Sequence, residues 1–234
     1  MSPSTSLPRS LLDAAVAPGS ALSALRSARG WGWAAFALIV LTQTAALFAF
    51  FGPMSPEWLV DQQMARMGEL SPSEEPAVRA SITSMADNYA LIAVVGGAVT
   101  LALMMPLLGL VYFLANRVTA GTRHGFVAWT RFATWTQLPL LVASLGLIVL
   151  TLVSRQPDLP LSAAQYASLN ALVLRLPIGH AWFNWAEQLN VFSLWSIVLA
   201  SIGMRVWTGL GWAASVLVGA LPWLLVFGIW AVVL

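Results

Sequence analysis

The sequence predicts an all-α integral membrane protein: a bundle of five transmembrane helices with the N-terminus in the cytoplasm and the C-terminus outside. Three observations predict this class. Hydrophobic residues make up 59% of the chain and charged residues only 9%, whereas soluble domains carry about 25% charged residues. Five apolar stretches have about the 20 residues that a helix needs to cross about 30 Å of hydrocarbon. Finally, the arginines alternate in number between the segments that connect these stretches.

The five apolar stretches are predicted to be helices. Backbone groups in lipid must be hydrogen-bonded within the protein, so only helices and closed barrels span a membrane. These runs lack the period-2 alternation of barrel strands. The first run also exceeds the apolar core of a cleaved signal peptide, which has about 7 to 15 residues. The predicted spans are residues 31–51, 90–114, 136–153, 190–204 (or a start one or two turns earlier) and 211–234.

Residues 1–30 are predicted to be a flexible cytoplasmic segment, because they are rich in Ser, Ala and Pro. Leucines in this segment also permit a short helix at the membrane interface. Residues 31–234 are expected to form one transmembrane domain. Its connections are an outer loop at 52–89, a cytoplasmic loop at 115–135 and an outer loop at 154–189.

The first outer loop carries two helix starts. Ser55 followed by Pro56 predicts a helix that ends at Gly68, and a second helix is predicted to start at Ser73. Their apolar residues recur at helical spacing, so we expect two short amphipathic helices that lie on the outer membrane face or cap the bundle.

The arginines set the predicted orientation, since cytoplasmic segments carry the positive excess. The N-terminal segment and the second and fourth connections hold seven arginines, while the two alternate segments hold four arginines and eight acidic residues. Aromatic side chains fit two interfaces in this frame. One interface would have Trp31, Trp33, Tyr112, Trp129, Trp135, Trp207 and Trp212, and the other Tyr89, Trp182, Trp185 and Trp230.

The most basic connection reads "ANRVTAGTRHGFVAWTRF", residues 115–132, and contains no acidic residue. Three interpretations of its arginines stay open. They can act as a topology signal only, they can contact anionic lipid headgroups at about 1 kcal/mol per Arg, or they can dock an acidic partner. The candidate partner or lipid contacts are Arg117, Arg123 and Arg131.

A second candidate is a polar face that leads into the fourth span. If this region is helical, four polar residues fall within about 60 degrees of one face: His180, Asn184, Glu187 and Gln188. Such a face is typical of a small polar cavity. The alternative is that Glu187 lies at headgroup depth and pairs with Arg175.

Other residues within the spans predict shape and packing. Pro106 and Pro222 lie inside their helices and are expected to kink them. Gly211, Ser215 and Gly219 recur every four residues, a spacing that lets helices approach closely.

No catalytic motif is present, and we predict that the chain is not an enzyme and holds no cofactor or metal. It has no cysteine. Its two histidines, His124 and His180, fall on opposite sides of the membrane in the predicted topology. A net charge of +2 is too small to indicate nucleic-acid binding. All eleven basic residues are arginine, which is typical of a GC-rich bacterial genome, so we expect the bacterial cytoplasmic (inner) membrane.

The order of spans and loops resembles the Yip family of Ypt-interacting, five-span membrane proteins, in a bacterial form. The resemblance covers residues 31–234 and rests on "YFLANRVTAGTRHGFVAWTRF", "QLPLLVASL" and "LWSIVLASIGMRVWTGLGWAASVLVGALPWLL". Eukaryotic members are associated with Golgi and ER membranes, Rab-type small GTPases, membrane shaping and vesicle traffic. The acidic, aromatic N-terminal elements of those members are missing from residues 1–30, so the resemblance does not imply binding of a small GTPase.

Two functions are therefore expected. The first is a non-enzymatic scaffold that organises a membrane complex or its local lipid, with a membrane-protein partner or a second copy of itself. The second is a small transporter or a scramblase-like, lipid-handling subunit. The spans lack charge, which argues against an ion-coupled pump, since such pumps carry carboxylates near the middle of the membrane.

Overall fold

The computed structural model describes residues 6–28, 30–67, 70–121 and 124–234, and within these ranges the chain is helical and contains no strand. Two short segments of other helical types, a 3₁₀ helix at Leu161–Gln165 and a π-helix at Asn170–Leu174, precede α9. The α-helices are α1 (Leu7–Val16), α2 (Pro18–Leu25), α3 (Trp31–Phe51), α4 (Pro56–Met67), α5 (Glu75–Ala86), α6 (Tyr89–Thr119), α7 (Phe126–Thr136), α8 (Pro139–Ser154), α9 (Phe183–Gln188), α10 (Val191–Thr208) and α11 (Trp212–Val233).

In the described part of the chain, five helices or helix pairs are long and apolar enough to cross a membrane, which confirms the predicted all-α class with five spans. They are α3, α6, the pair α7 and α8 over Phe126–Ser154, α10 and α11. The third span begins well before the predicted residue 136. Its first part, α7, contains Arg131 and several threonines, which made it resemble a loop, but Trp129, Phe132 and Trp135 of this helix are buried in the protein.

The chain divides into two compact units. The first contains Met1–Val40, Thr100–Leu140 and Phe192–Val233, and the second contains Leu41–Val99, Leu141–Val191 and Leu234. The first unit has seven arginines and one aspartate, a formal charge of +6, and we call it the arginine-rich unit. The second has four arginines and eight acidic residues, a formal charge of −4, and we call it the acidic unit.

The segment before Trp31 differs from the flexible segment that its composition predicted. Its described residues form α1 and α2, and Ala21, Leu22 and Leu25 are fully or almost fully buried. Burial of these side chains offsets the conformational entropy of ordering a segment rich in Ser and Ala. The first five residues and Arg29 lie outside the described ranges.

In the acidic unit, α4 and α5 pack on a hydrophobic core. Leu59 and Val60 of α4 join Phe50 of α3 and Leu147 of α8 in one buried cluster. Pro56 begins α4, and α5 starts close to the predicted Ser73. Both predicted helices are therefore present; Leu59 and Val60 of α4 and Ala86 of α5 are buried, whereas Met67 and Met85 are exposed. The predicted helix end at Gly68 lies outside the described residues.

In the arginine-rich unit, α10 and α11 approach closely at Gly219. A Cβ atom at this position would lie 2.7 Å from the backbone nitrogen of Ser201, so only glycine permits this contact. The turn between the two helices contains Gly209 at φ +75, a left-handed conformation that glycine adopts without strain.

Candidate functional site

The arginines of the basic loop have different environments in the structure. Arg117 is exposed, and its guanidinium carbon lies 4.6 Å from the centre of the Phe113 ring. Arg131 is half-buried and donates a hydrogen bond to the carbonyl of Ala28 at 3.1 Å. Arg123 lies outside the described residues. Arg131 is thus held by a contact with the protein, whereas Arg117 adds positive charge to the surface.

A cluster of aromatic rings lies beside this loop. Trp129, Phe132 and Trp207 pack with ring centres 5.0 to 5.2 Å apart. The His124 ring lies 5.0 Å from that of Trp207. Partial burial, followed by the positive charges of Arg26 and Arg131, holds the pKa of His124 below its usual range. We therefore expect a neutral imidazole in this cluster at neutral pH.

Two indole N–H groups donate hydrogen bonds to the backbone of α2 and of the first residue of α3. Trp207 donates a hydrogen bond from Nε1 to the carbonyl of Leu22 at 2.8 Å, and Trp135 donates one to the carbonyl of Trp31 at 3.1 Å. Trp129, Trp135 and Trp207 are at most 3% exposed. These three residues of the predicted aromatic belt, and Tyr112 with them, are buried inside the protein.

An apolar groove of about 480 Å³ opens beside Arg131 in the arginine-rich unit. Its lining comes from three segments: Gly30 with the start of α3, the middle of α6, and α7 from Phe126 to Thr134. Trp33, which is 79% exposed, and Phe126 stand on its walls. The volume falls in the range of about 300 to 1,000 Å³ that is typical of small-ligand sites. Its lining residues include Trp33, Phe36, Ala102, Met105, Phe126 and Arg131.

The two prolines predicted to kink the spans are internal to continuous helices. Pro106 lies within α6 and lines the apolar groove, whereas Pro222 lies within α11 and is buried. Each removes one backbone hydrogen bond from its helix. Pro106 is therefore the one of the two that bears on the candidate site.

The four residues predicted to form a polar face are not on one helix face. The helix α9 covers only Phe183–Gln188, and extended backbone at Leu189 separates it from α10. His180 lies in the preceding turn, where its Nδ1 accepts a hydrogen bond from the backbone N–H of Trp182. Of the four side chains, only that of Glu187 is buried, while those of His180, Asn184 and Gln188 are exposed.

Glu187 forms a bidentate salt bridge with Arg66. The two guanidinium nitrogens lie 3.0 and 3.1 Å from its carboxylate oxygens, and the carboxylate side chain is 3% exposed. The partner is thus Arg66 of α4, and the expected pairing with Arg175 is not observed. Both Glu187 and Arg175 line a second cavity of about 460 Å³, within the acidic unit.

The apolar groove and the Arg66–Glu187 pair could not be predicted from the sequence, because each brings together residues that are far apart in the chain. The one available signal for the pair was Arg66 itself, an arginine among acidic residues in a predicted outer loop. In the described part of the chain, no group of three or more His, Asp or Glu residues is placed to hold a metal ion.

Comparison with known proteins gives one match. The family model described as the Yip1 domain matches residues 12–233, nearly the whole chain. No curated protein and no solved structure matches the chain.

Proposed function

Because the chain belongs to the Yip1-domain family of membrane proteins, we propose that it is a non-enzymatic membrane protein that organises a complex and its local lipid through the arginine-rich unit. The observation that supports this proposal is the charge of that unit. One aspartate cannot neutralise seven arginines, so the unit attracts anionic groups from outside itself.

The described arginines are positioned for such a role. Arg9, Arg26, Arg117 and Arg205 are exposed, and Arg205 lies 4.8 Å above the Trp212 ring. Cation–π contacts orient a guanidinium and leave its charge in place. In this proposal the arginine-rich unit is at the cytoplasmic face of a bacterial inner membrane, in agreement with the rule that cytoplasmic segments carry the positive excess.

The test is recovery of bound partners from native nanodiscs with the full chain. Neutralising Arg117, Arg123 and Arg131 to Gln together is expected to lower the recovery of a stoichiometric protein partner. A matched triple variant in the acidic unit, at Arg79, Arg155 and Arg175, is expected to retain it. Unchanged recovery with the first variant, with membrane topology preserved, would refute the basic loop as a docking site.

A second function, that of a lipid-handling subunit, is favoured by the apolar groove beside Pro106. It predicts that the purified chain moves phospholipid between the leaflets of a vesicle. Glu187→Gln is a poor test of this function, because Glu187 bonds Arg66 and its loss would disturb the fold first. Filling the groove at Ala102 is the better test, and lipid movement that survives this change would argue against the second function.

A further inference from the structure

We infer that the apolar groove of the arginine-rich unit binds one acyl chain of an acidic glycerophospholipid, with the lipid phosphate beside the guanidinium of Arg131. This inference rests on the proposed function and names the lipid that the protein would organise. It is carried by the lining of the groove and by the charge at its wall.

The lining suits a hydrocarbon chain. Phe36, Met105 and Phe126 provide apolar and aromatic walls, and Ala102 leaves its side of the groove open because its side chain is a single methyl group. These residues belong to helices long and apolar enough to span a membrane. Lipid tails surround such helices in a membrane, so an acyl chain is the occupant expected from the surroundings of the groove.

Hydrophobic burial does not make this site selective. A tail that moves from the bilayer into the groove exchanges one apolar environment for another of similar polarity. Preference for one lipid over another must therefore come from the polar group at the end of the chain. Among the described residues that line the groove, the charged side chain is that of Arg131.

Arg131 is held in place by two contacts with the segment that precedes α3 and with α3 itself. Its side chain lies against the backbone of Gly32, where an added Cβ would be 2.7 Å from its Cγ. Its guanidinium donates to the carbonyl of Ala28 at 3.1 Å. These contacts fix the cation at the groove wall before a lipid arrives, which lowers the ordering cost of binding.

The surroundings reinforce this choice of headgroup. The unit contains a single acidic residue, Asp13, and its exposed arginines include Arg26 and Arg117. An arginine near the membrane surface favours an anionic lipid by about five-fold. A zwitterionic headgroup would gain little of this preference, because its own cation would meet the same positive field.

The experiment uses the full chain in mixed micelles with chain-brominated phosphatidylglycerol or chain-brominated phosphatidylcholine, whose bromines quench tryptophan emission. The part of the quenching that is lost in the Trp33→Phe variant is due to Trp33. This part reports occupancy of the groove, since Trp33 stands on its wall. We expect this part to reach half its maximum at an amount of phosphatidylglycerol about five-fold lower than that of phosphatidylcholine. Equal amounts for the two lipids would overturn the inference.

Two pairs of variants locate the site. Arg131→Gln should remove the preference for phosphatidylglycerol, and Arg131→Lys should retain most of it, which separates the charge from the contact with Ala28. Ala102→Phe should abolish quenching of Trp33 by both lipids at low lipid content. Leu103→Phe places the same ring on the adjacent, 62% exposed position outside the lining and should leave that quenching unchanged.

The outcomes distinguish this inference from the proposed function. Gel filtration first establishes that each variant is folded. Unchanged Trp33 quenching in Ala102→Phe would overturn the lipid site, and so would an unchanged lipid preference in Arg131→Gln. Neither result would contradict the proposed function, which is measured by partner recovery. Partner recovery with the single variant Arg117→Gln tests the proposed function separately, because Arg117 is exposed and is not among the residues that line the groove.

Discussion

The arginine-rich and acidic units satisfy their charges in different ways. In the acidic unit, carboxylates meet donors of the same unit: Glu187 bonds Arg66, Asp61 bonds Arg79, and Asp158 accepts bonds from Ser55. In the arginine-rich unit, described arginines lie against aromatic rings and a backbone carbonyl. The difference teaches that carboxylates of the acidic unit stabilise its fold through donors of the same unit, although the unit keeps a formal charge of −4, whereas the arginine-rich unit has a positive excess that its single aspartate cannot neutralise.

The largest expected effect comes from removing the buried ion pair of the acidic unit. Glu187→Ala should destabilise the protein by about 3 kcal/mol, at the low end of the values for breaking a buried pair, because Arg66 retains some solvent access. Unfolding in a titration of denaturing detergent would measure this. The matched control is Asp61→Ala, which removes the exposed pair with Arg79 and should cost at most about 1 kcal/mol. Equal losses for the two variants would contradict a special role for the buried pair.

The second prediction concerns packing in the arginine-rich unit. Gly219→Ala should cost about 1 to 3 kcal/mol, since the added Cβ would meet the backbone of Ser201 and force α10 and α11 apart. Gly228→Ala in the same helix adds a Cβ with no atom within 4 Å and should be neutral. Thermal unfolding of the two variants in the same detergent measures the difference. A neutral Gly219→Ala would show that α10 and α11 can separate at no cost.

The third prediction concerns the attachment of the N-terminal helices. Trp207→Phe keeps a ring in the aromatic cluster but removes the hydrogen bond to the carbonyl of Leu22. Loss of a buried hydrogen bond costs about 1 kcal/mol or more, so α2 should open more often. Trypsin cleaves after arginine, and cleavage after Arg26 should become several-fold faster. Trp212→Phe, at a 54% exposed position, is the control, and equal cleavage of both variants would contradict this role of Trp207.

Much of the fold could be predicted from the sequence, because hydropathy and helix-start signals are local. The bounds of α3 and the start of α4 at Pro56 follow from such signals. The burial of Trp129, Trp135 and Trp207 in protein was not predicted, because burial in protein and burial at a membrane interface require the same residue types. The polar face failed because α9 starts only at Phe183, which leaves His180 in the preceding turn, and because only Glu187 of the four side chains is buried.

Of the candidate site, only the positive charge could be predicted from the sequence. The positive excess of residues 115–132 is visible in the sequence, but the apolar groove depends on three segments that are distant along the chain. Gly32 provides the contact for Arg131, and no periodicity in the sequence links a glycine at the start of one helix to an arginine about a hundred positions later.

The smallest expected effect is a dependence on pH in the arginine-rich unit. Folding holds the pKa of His124 below its usual range, so the unfolded chain binds more protons and stability rises with pH. This stability is complete above the usual pKa of about 6.5 and is lost as the pH falls from there toward the lower pKa of the folded state. In a His180→Gln background, NMR titration of the remaining histidine measures the pKa directly. Arg26→Gln should raise the pKa of His124 only in part, because burial is the larger cause of its lowering and the charge of Arg26 is the next. A full return to the usual value would show that charge repulsion sets the protonation of this ring, and that burial among Trp129 and Trp207 does not.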